Sequence, residues 1–315
     1  MVAQIQTFKS SLAFQKENSW GTGIDPVFTM PVNEITPRPT YALVVDRGMR
    51  GIGARDYRSQ QAGGHGELAF QGFAMPAYVG HLLVAMLGSV STAGSTVWTH
   101  TFKMGNTPPS FTFETEQTQA AAGALRFSGA RCSELVFEFD AATGMLQHNS
   151  SWMTKIPTKV TGVDPANLAL QDMWAGWLGT VTSSGLTSIV TNATFTFSRA
   201  LSIKHTAQGS QDPYIIVPGP LALEGSLTII AEDMTDFDVW KAHTTQSFVI
   251  TFTYGAGDAQ RSFKITASSL NLGNGPFEID RGEEGILYRL PFLAIYNTTD
   301  LGPAQVELIN NVSSY

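Results

Sequence analysis

Cysteine is nearly missing: Cys132 is the single one in 315 residues, so no disulfide can form within the chain. Its context, FSGARCSELVFEF, reads as a strand with a small buried apolar residue; no helix start, His or Lys nearby would activate a thiol. Charge is sparse, at 14%. The net charge of -7 removes the strong basic excess that gripping duplex phosphates requires. Long apolar runs are also missing. The longest, Val79 to Val90, is too short for a bilayer and contains His81. The first 19 residues lack the apolar core of a secretion signal, which sets the expectation of a soluble chain made in the cytoplasm. On that reading the sequons at Asn192, Asn297 and Asn311 are chance matches.

Motifs of catalysis are lacking too. The six histidines are scattered, with no zinc spacing, and neither a nucleophile elbow nor a Walker loop occurs. GMRGIG, Gly48 to Gly53, is Gly-rich, but its spacing is wrong for a dinucleotide loop and no helix follows. No enzyme, cofactor or metal is therefore expected. Carboxylates recur two apart at Glu114/Glu116, Glu138/Asp140 and Glu278/Asp280, with Glu283 and Glu284 adjacent. On a strand such pairs share a face. Three readings fit them: a solvated sheet face, a glycoside-cleaving pair, or an acidic wall that repels nucleic acid. The six tryptophans are spread along the chain, which weighs against a carbohydrate site.

What is present is β-forming. Apolar residues make up 43%, and the length suits two domains. Prolines at 26, 31, 37 and 39 give residues 1–40 the look of an extended arm without helix or interior strand. After a strand at Tyr41 to Asp46 comes an apolar-poor stretch, Arg47 to Gly66, read as a large loop or mobile hairpin. It carries Arg47, Arg50, Arg55 and Arg58. These are either a solvated face or one side of a charge contact with a neighbouring chain. The split of charge supplies the other side. Through Lys159 there are 12 basic and 11 acidic residues; beyond it, 7 and 15. A helix is expected over Pro76 to Leu87, from apolar residues at 79, 82, 83 and 86, and a second over Asp236 to Ala242 with Thr235 as N-cap. The rest reads as short strands.

The chain also repeats itself. GELAFQG from Gly66 and GPLALEG from Gly219 lie 153 positions apart, each leading to a helix. PSFTFE from Pro109 resembles QSFVITF from Gln246, and FDAATGMLQHN resembles DRGEEGILYRL. The expected organisation is an arm (1–40), a first domain (41–160), a linker (161–190) with a helical turn near Ala166 to Met173, and a second domain (191–315).

The first half carries a further likeness. Trp98-Thr99-His100-Thr101-Phe102, then Pro109 to Glu114, then Phe127-Ser128-Gly129 through Phe137, preceded by the Arg/Gly stretch, resemble the tail tube proteins of long-tailed, non-contractile bacteriophages. The likeness runs from Tyr41 to Lys155 and is weaker beyond, where the H-x-F piece is absent. It implies a mainly β fold of two tandem β-sandwich or barrel domains, each with one flanking helix. It implies rings whose inner strands close one barrel, stacked into a virion tail tube. DNA would pass without sequence-specific binding, and a tape-measure protein would share the lumen. Tail terminator and distal tail or baseplate proteins would be the further partners. Two domains per chain imply homotrimeric, pseudo-sixfold rings, with hexamers as the alternative. The Arg47 to Gly66 stretch would reach a neighbouring subunit or ring, and some acid pairs would line the lumen. Rival readings are a carbohydrate-binding β-protein and another virion protein: a terminator, decoration protein or baseplate hub.

Overall fold

The computed structural model describes residues 11–116, 123–142, 144–162, 172–186, 189–273, 277–278 and 286–315. In chain order the first half holds β1 (Ser11–Lys16), β2 (Phe28–Met30), β3 (Glu34–Asp46), β4 (Arg58–Phe73), α1 (Val79–Leu87), β5 (Gly88–Gly94), β6 (Trp98–Met104), β7 (Phe111–Glu116), β8 (Ala124–Asp140), β9 (Gln147–Thr154) and β10 (Thr158–Val160). The second holds β11 (Gly179–Ser183), β12 (Val190–Lys204), β13 (Ile215–Ile230), α2 (Thr235–Ala242), β14 (Gln246–Tyr254), β15 (Arg261–Leu272), β16 (Phe277–Glu278), β17 (Leu287–Ala294) and β18 (Gln305–Asn310). The fold is mainly β, and every named pairing is antiparallel.

Each half builds the same two layers. One layer runs β3–β4–β9–β8 in the first half and β12–β13–β17–β16 in the second. The other runs β2–β1–β7–β8–β10 and β11–β14–β15–β18. β8 belongs to both layers because it bends. Gly129 sits at φ +64, a value that favours glycine, and the register slips between Cys132 and Glu134. Aromatic side chains fill the gap between layers: Phe70 of β4 lies 5.5 Å from Phe113 of β7 and 6.0 Å from Trp152. The alternation in β8 is clean. Leu135, Phe137 and Phe139 are buried; Glu134, Glu138 and Asp140 are exposed.

The two layouts merge. β8 pairs with β12, so the first layer is continuous across the chain, and β6 pairs with β18, so the β5–β6 hairpin of the first half extends the outer layer of the second. That hairpin is the extra segment after α1 that the second half lacks.

Several expectations change. The arm contributes β1, inserted beside β7 with Leu12 and Phe14 buried. The linker contributes β11 in the equivalent place beside β14. The arm and the linker are thus the same element of the two repeats, hidden because β1 and β11 are short. β3 crosses position 40 and contains Pro37 and Pro39, which an edge strand tolerates. The expected loop shrinks to residues 47–57, since β3 and β4 pair out to Asp46–Arg58. Those distal strands are exposed, so no buried face left an apolar signature. α1 begins at Val79, three residues late. In α2 the N-cap position is Met234, not Thr235, and the Asp233 carboxylate just before it accepts the Thr235 N–H at 2.7 Å. The sequence match of Gly66 to Gly219 is not the structural one. Ala74 N–H donates to Leu146 O, and Ala231 N–H donates to Ile286 O. That equivalence sets an offset of 157 (74 to 231), four residues away from the motif match. Residues 166–171 of the expected helical turn lie outside the described residues.

Candidate assembly surfaces

The seam inside the chain shows how two repeats join. β8 and β12 align Phe137 with Phe195, Leu135 with Phe197 and Glu138 with Thr194. The buried side is aromatic: Phe137 lies 5.0 Å from Phe263 and Phe139 lies 5.1 Å from Phe252. Arg199, 5% exposed, pins the seam from β12. It donates to the carbonyls of Met86 (2.8 Å), Leu87 (3.3 Å), Gly105 (2.9 Å) and Gly219 (3.0 Å). Two of these are carbonyls in the last turn of α1, where a cation is favoured; Leu87 O also accepts the Gly105 N–H at 2.6 Å. Sequence reading missed this residue, because its partners are backbone atoms remote in the chain.

The continuous layer has one solvent face; most of its exposed side chains are polar, with Leu293 and Ile230 exposed beside them. Glu34, Thr36, Arg38, Gln71, Asn149, Glu134, Glu138, Asp140, Asn192, Glu224, Ser226 and Arg289 project from it as exposed residues. Acids outnumber bases there. Both ends of the layer are open edges among the described residues: β3 pairs only with β4, and β16 only with β17. An unpaired edge is a template for another strand. The chain thus carries a completed repeat-to-repeat seam and two ends of the kind that made it. A family model described as phage tail tube protein matches residues 7–294. The chain belongs to the phage tail tube protein family. No curated protein matches it.

It is a structural component of the virion tail, built to self-assemble into a tube. Within this tail tube protein the sequence-predicted acids part company. Glu138 and Asp140 lie on the solvent face of the continuous layer, beside the seam. Glu114 does not reach solvent: it is 1% exposed and pairs with Arg126 Nε at 2.5 Å, and Arg126 also contacts Asp25. It is a core ion pair between β7 and β8. Glu116 and Glu278 are placed as strand positions, in β7 and β16. Asp280, Glu283 and Glu284 lie outside the described residues. Glu34, Glu134 and Glu224 join the face unforeseen, because each stands alone in sequence and only sheet pairing gathers them.

The four arginines cap the distal end of the β3–β4 ribbon. Arg47 pairs with Asp56 at 2.8 Å; Arg50 pairs with Asp46 and lies 4.6 Å above the Tyr57 ring. Arg55 and Arg58 are exposed and make no ion pair among the described residues. Beside them Leu43, Val44, Met49 and Ile52 are each more than 60% exposed. An apolar, cationic tip of this kind suits a contact surface.

Buried titratable groups lie away from these surfaces. His81 and His100 meet the Tyr315 ring edge-on at 4.8 and 4.7 Å, and the Tyr315 hydroxyl contacts Asn310 and Pro76 O. Burial pushes the His81 pKa down to about 4, with the Lys16 charge adding to it; burial alone takes His148 to about 4. Burial also raises the Cys132 thiol. Among the described residues no helix is long and apolar enough to cross a membrane.

Proposed function

We propose that this protein forms closed rings of three chains, each chain supplying two quasi-equivalent repeats, and that the rings stack into the tube of a long-tailed, non-contractile phage. The observation that carries this reading is the internal seam: β8 and β12 join two copies of one four-strand layout, and the layer then ends in open edges. Closing a layer on itself removes its edges. Six repeats per ring need three chains when each chain holds two; rings of six chains are the alternative. The solvent face of the layer would become the lumen wall. Glu34, Glu134, Glu138, Asp140 and Glu224 would then repel phosphates and let DNA pass without adhering. A tape-measure protein occupies the same lumen before ejection. Tail terminator and distal tail or baseplate proteins meet the ends of the tube, and the chain is made in the host cytoplasm. Its role is non-enzymatic. The ribbon with Arg47, Arg50, Arg55 and Arg58 reaches the neighbouring ring.

Electron microscopy of the purified protein, dilute and concentrated, tests the reading through end-on views. Hollow rings with threefold or pseudo-sixfold symmetry are expected. Compact single particles at every concentration would refute it.

A further inference from the structure

The internal seam also contains the geometry of the seam between chains. Three observations align the repeats position by position. The register of β3 on β4 slips between Tyr41 and Leu43, and that of β12 on β13 slips between Arg199 and Leu201, an offset of 158 (41 to 199). The Ala74 and Ala231 hydrogen bonds fix β4 against β13. Glu138 faces Gln147, and Glu278 faces Leu287, an offset of 140 (138 to 278). Opposed residues can then be followed across the layer from Ile35: to Phe70, Ser150, Leu135 and Phe197. Phe197 is the counterpart of Pro39, not of Ile35. The row therefore climbs four residues for every four strands.

We propose that β16 of one chain lies against β3 of the next in the staggered register of the internal seam, with position 278 opposite Thr36. This rests on the ring reading and gives it a register. Glu138–Thr194 is the internal counterpart of that pair. A climb of one residue per strand is the ratio of the eight-stranded barrel with shear 8, whose strands tilt about 36°. Six repeats of four strands at that tilt make a barrel roughly 45 Å across at ~4.8 Å per strand, wide enough for an aqueous channel.

The two seams differ in one respect. Ala74 turns its N–H toward β9, so the even residues of β4 face β9 and the odd ones face β3. Pro37 and Pro39 stand opposite the even residues Leu68 and Gly66, so their backbone turns to the open edge. Their internal counterparts, Phe195 and Phe197, each have an N–H to give to β8. The seam between chains thus lacks two donors that the seam within the chain has. It is the weaker of the two, and an edge so blunted does not zip into open sheets.

Cysteine pairs test the register. Ala141 N–H donates to Thr191 O, which makes Glu138–Thr194 a non-hydrogen-bonded pair with close Cβ atoms, suited to a disulfide. E138C/T194C is the internal control and is expected to close within one chain. T36C/E278C is expected to give covalent dimers and trimers on a denaturing gel after mild oxidation. The two positions sit at opposite ends of an eight-strand layer, about 34 Å apart at ~4.8 Å per strand, too far to bridge within a chain. E34C/N271C, with Asn271 at the end of β15 where that strand pairs with β17 ahead of β16, reports the unstaggered register that the Gly66–Gly219 motif match would impose, and is expected to cross-link at least tenfold less. Cross-linking by that pair instead, or by neither pair in material that microscopy shows as rings, overturns the register and leaves the ring reading standing. A closed internal control with neither rings nor cross-links overturns both. A measurement on the unmodified chain stands beside these. The Ile35 amide, the outward donor just before Pro37, is expected to become protected from hydrogen exchange on assembly. An Ile35 amide that exchanges equally fast in rings and in free chains counts against the register.

Discussion

At the scale of single residues, buried charge and buried imidazole set the sharpest expectations. Arg199 satisfies four carbonyls at the join between the repeats. Arg199→Ala would remove that donor from each, with Leu87 O keeping the Gly105 N–H noted above, and would open a gap at the end of α1. A loss of about 3 kcal/mol or more is expected in urea unfolding. A loss under about 1 kcal/mol would mean that water replaces the guanidinium there. His81 and His148 give a pH dependence whose sign follows from their depressed pKa values of about 4. Unfolded histidine titrates near 6.5, so between about 6.5 and 4 the unfolded chain binds protons that the folded chain refuses. Stability is therefore full above about pH 6.5 and falls as pH drops toward 4, by up to ~3 kcal/mol per histidine. His148→Leu should remove part of that slope, read as the urea midpoint against pH; His100, also lowered by burial, adds to the slope in the same direction. A slope unchanged in the variant would place the proton uptake elsewhere.

At the scale of elements, the prolines of β3 show why a sequence feature can be legible in kind and misread in consequence. Their density pointed to an extended arm without interior strand, and β3 is extended and at an edge. What the composition did not convey is that such an edge is a joining surface. Restoring the missing donors with P37V/P39V should strengthen self-association. Sedimentation velocity is expected to show larger species at lower concentration than for the unaltered chain, and an unchanged distribution would show that the edge is not used. α1 was readable because its apolar spacing lies within one short segment, although the structure buries all of Val79–Leu87 and not one face alone. β1, β11 and β18 were not, since each is short and sits in its layer beside a strand remote in the chain, β7, β14 and β15 respectively. The acid pairs illustrate the same limit. Glu138 and Asp140 reach solvent, whereas Glu114, equally plausible in sequence, lies against Arg126 in the core. The partner that decides between those fates lies on another strand.

At the scale of the whole molecule, the ribbon is the part that the fold itself does not need. Its ion pairs are exposed and contribute little to stability. Replacing Arg47, Arg50, Arg55 and Arg58 together with Ser should leave the melting temperature within a few degrees and abolish stacking of rings into tubes. Tubes of ordinary length from the quadruple variant would remove the ribbon from the contact between rings. By itself the sequence determined the β class, two helices, a set of repeated motifs and the likeness to tail tube proteins, because alternation, helical spacing and repeated motifs are properties of neighbours along a chain. The tertiary structure decided the rest: the true alignment of the repeats, four residues from the one the motifs suggest, the stagger of the layer, and which acids share its open face. Those depend on hydrogen-bond register between strands, and register is set by the packing of two layers against each other, not by the order of residues within one strand.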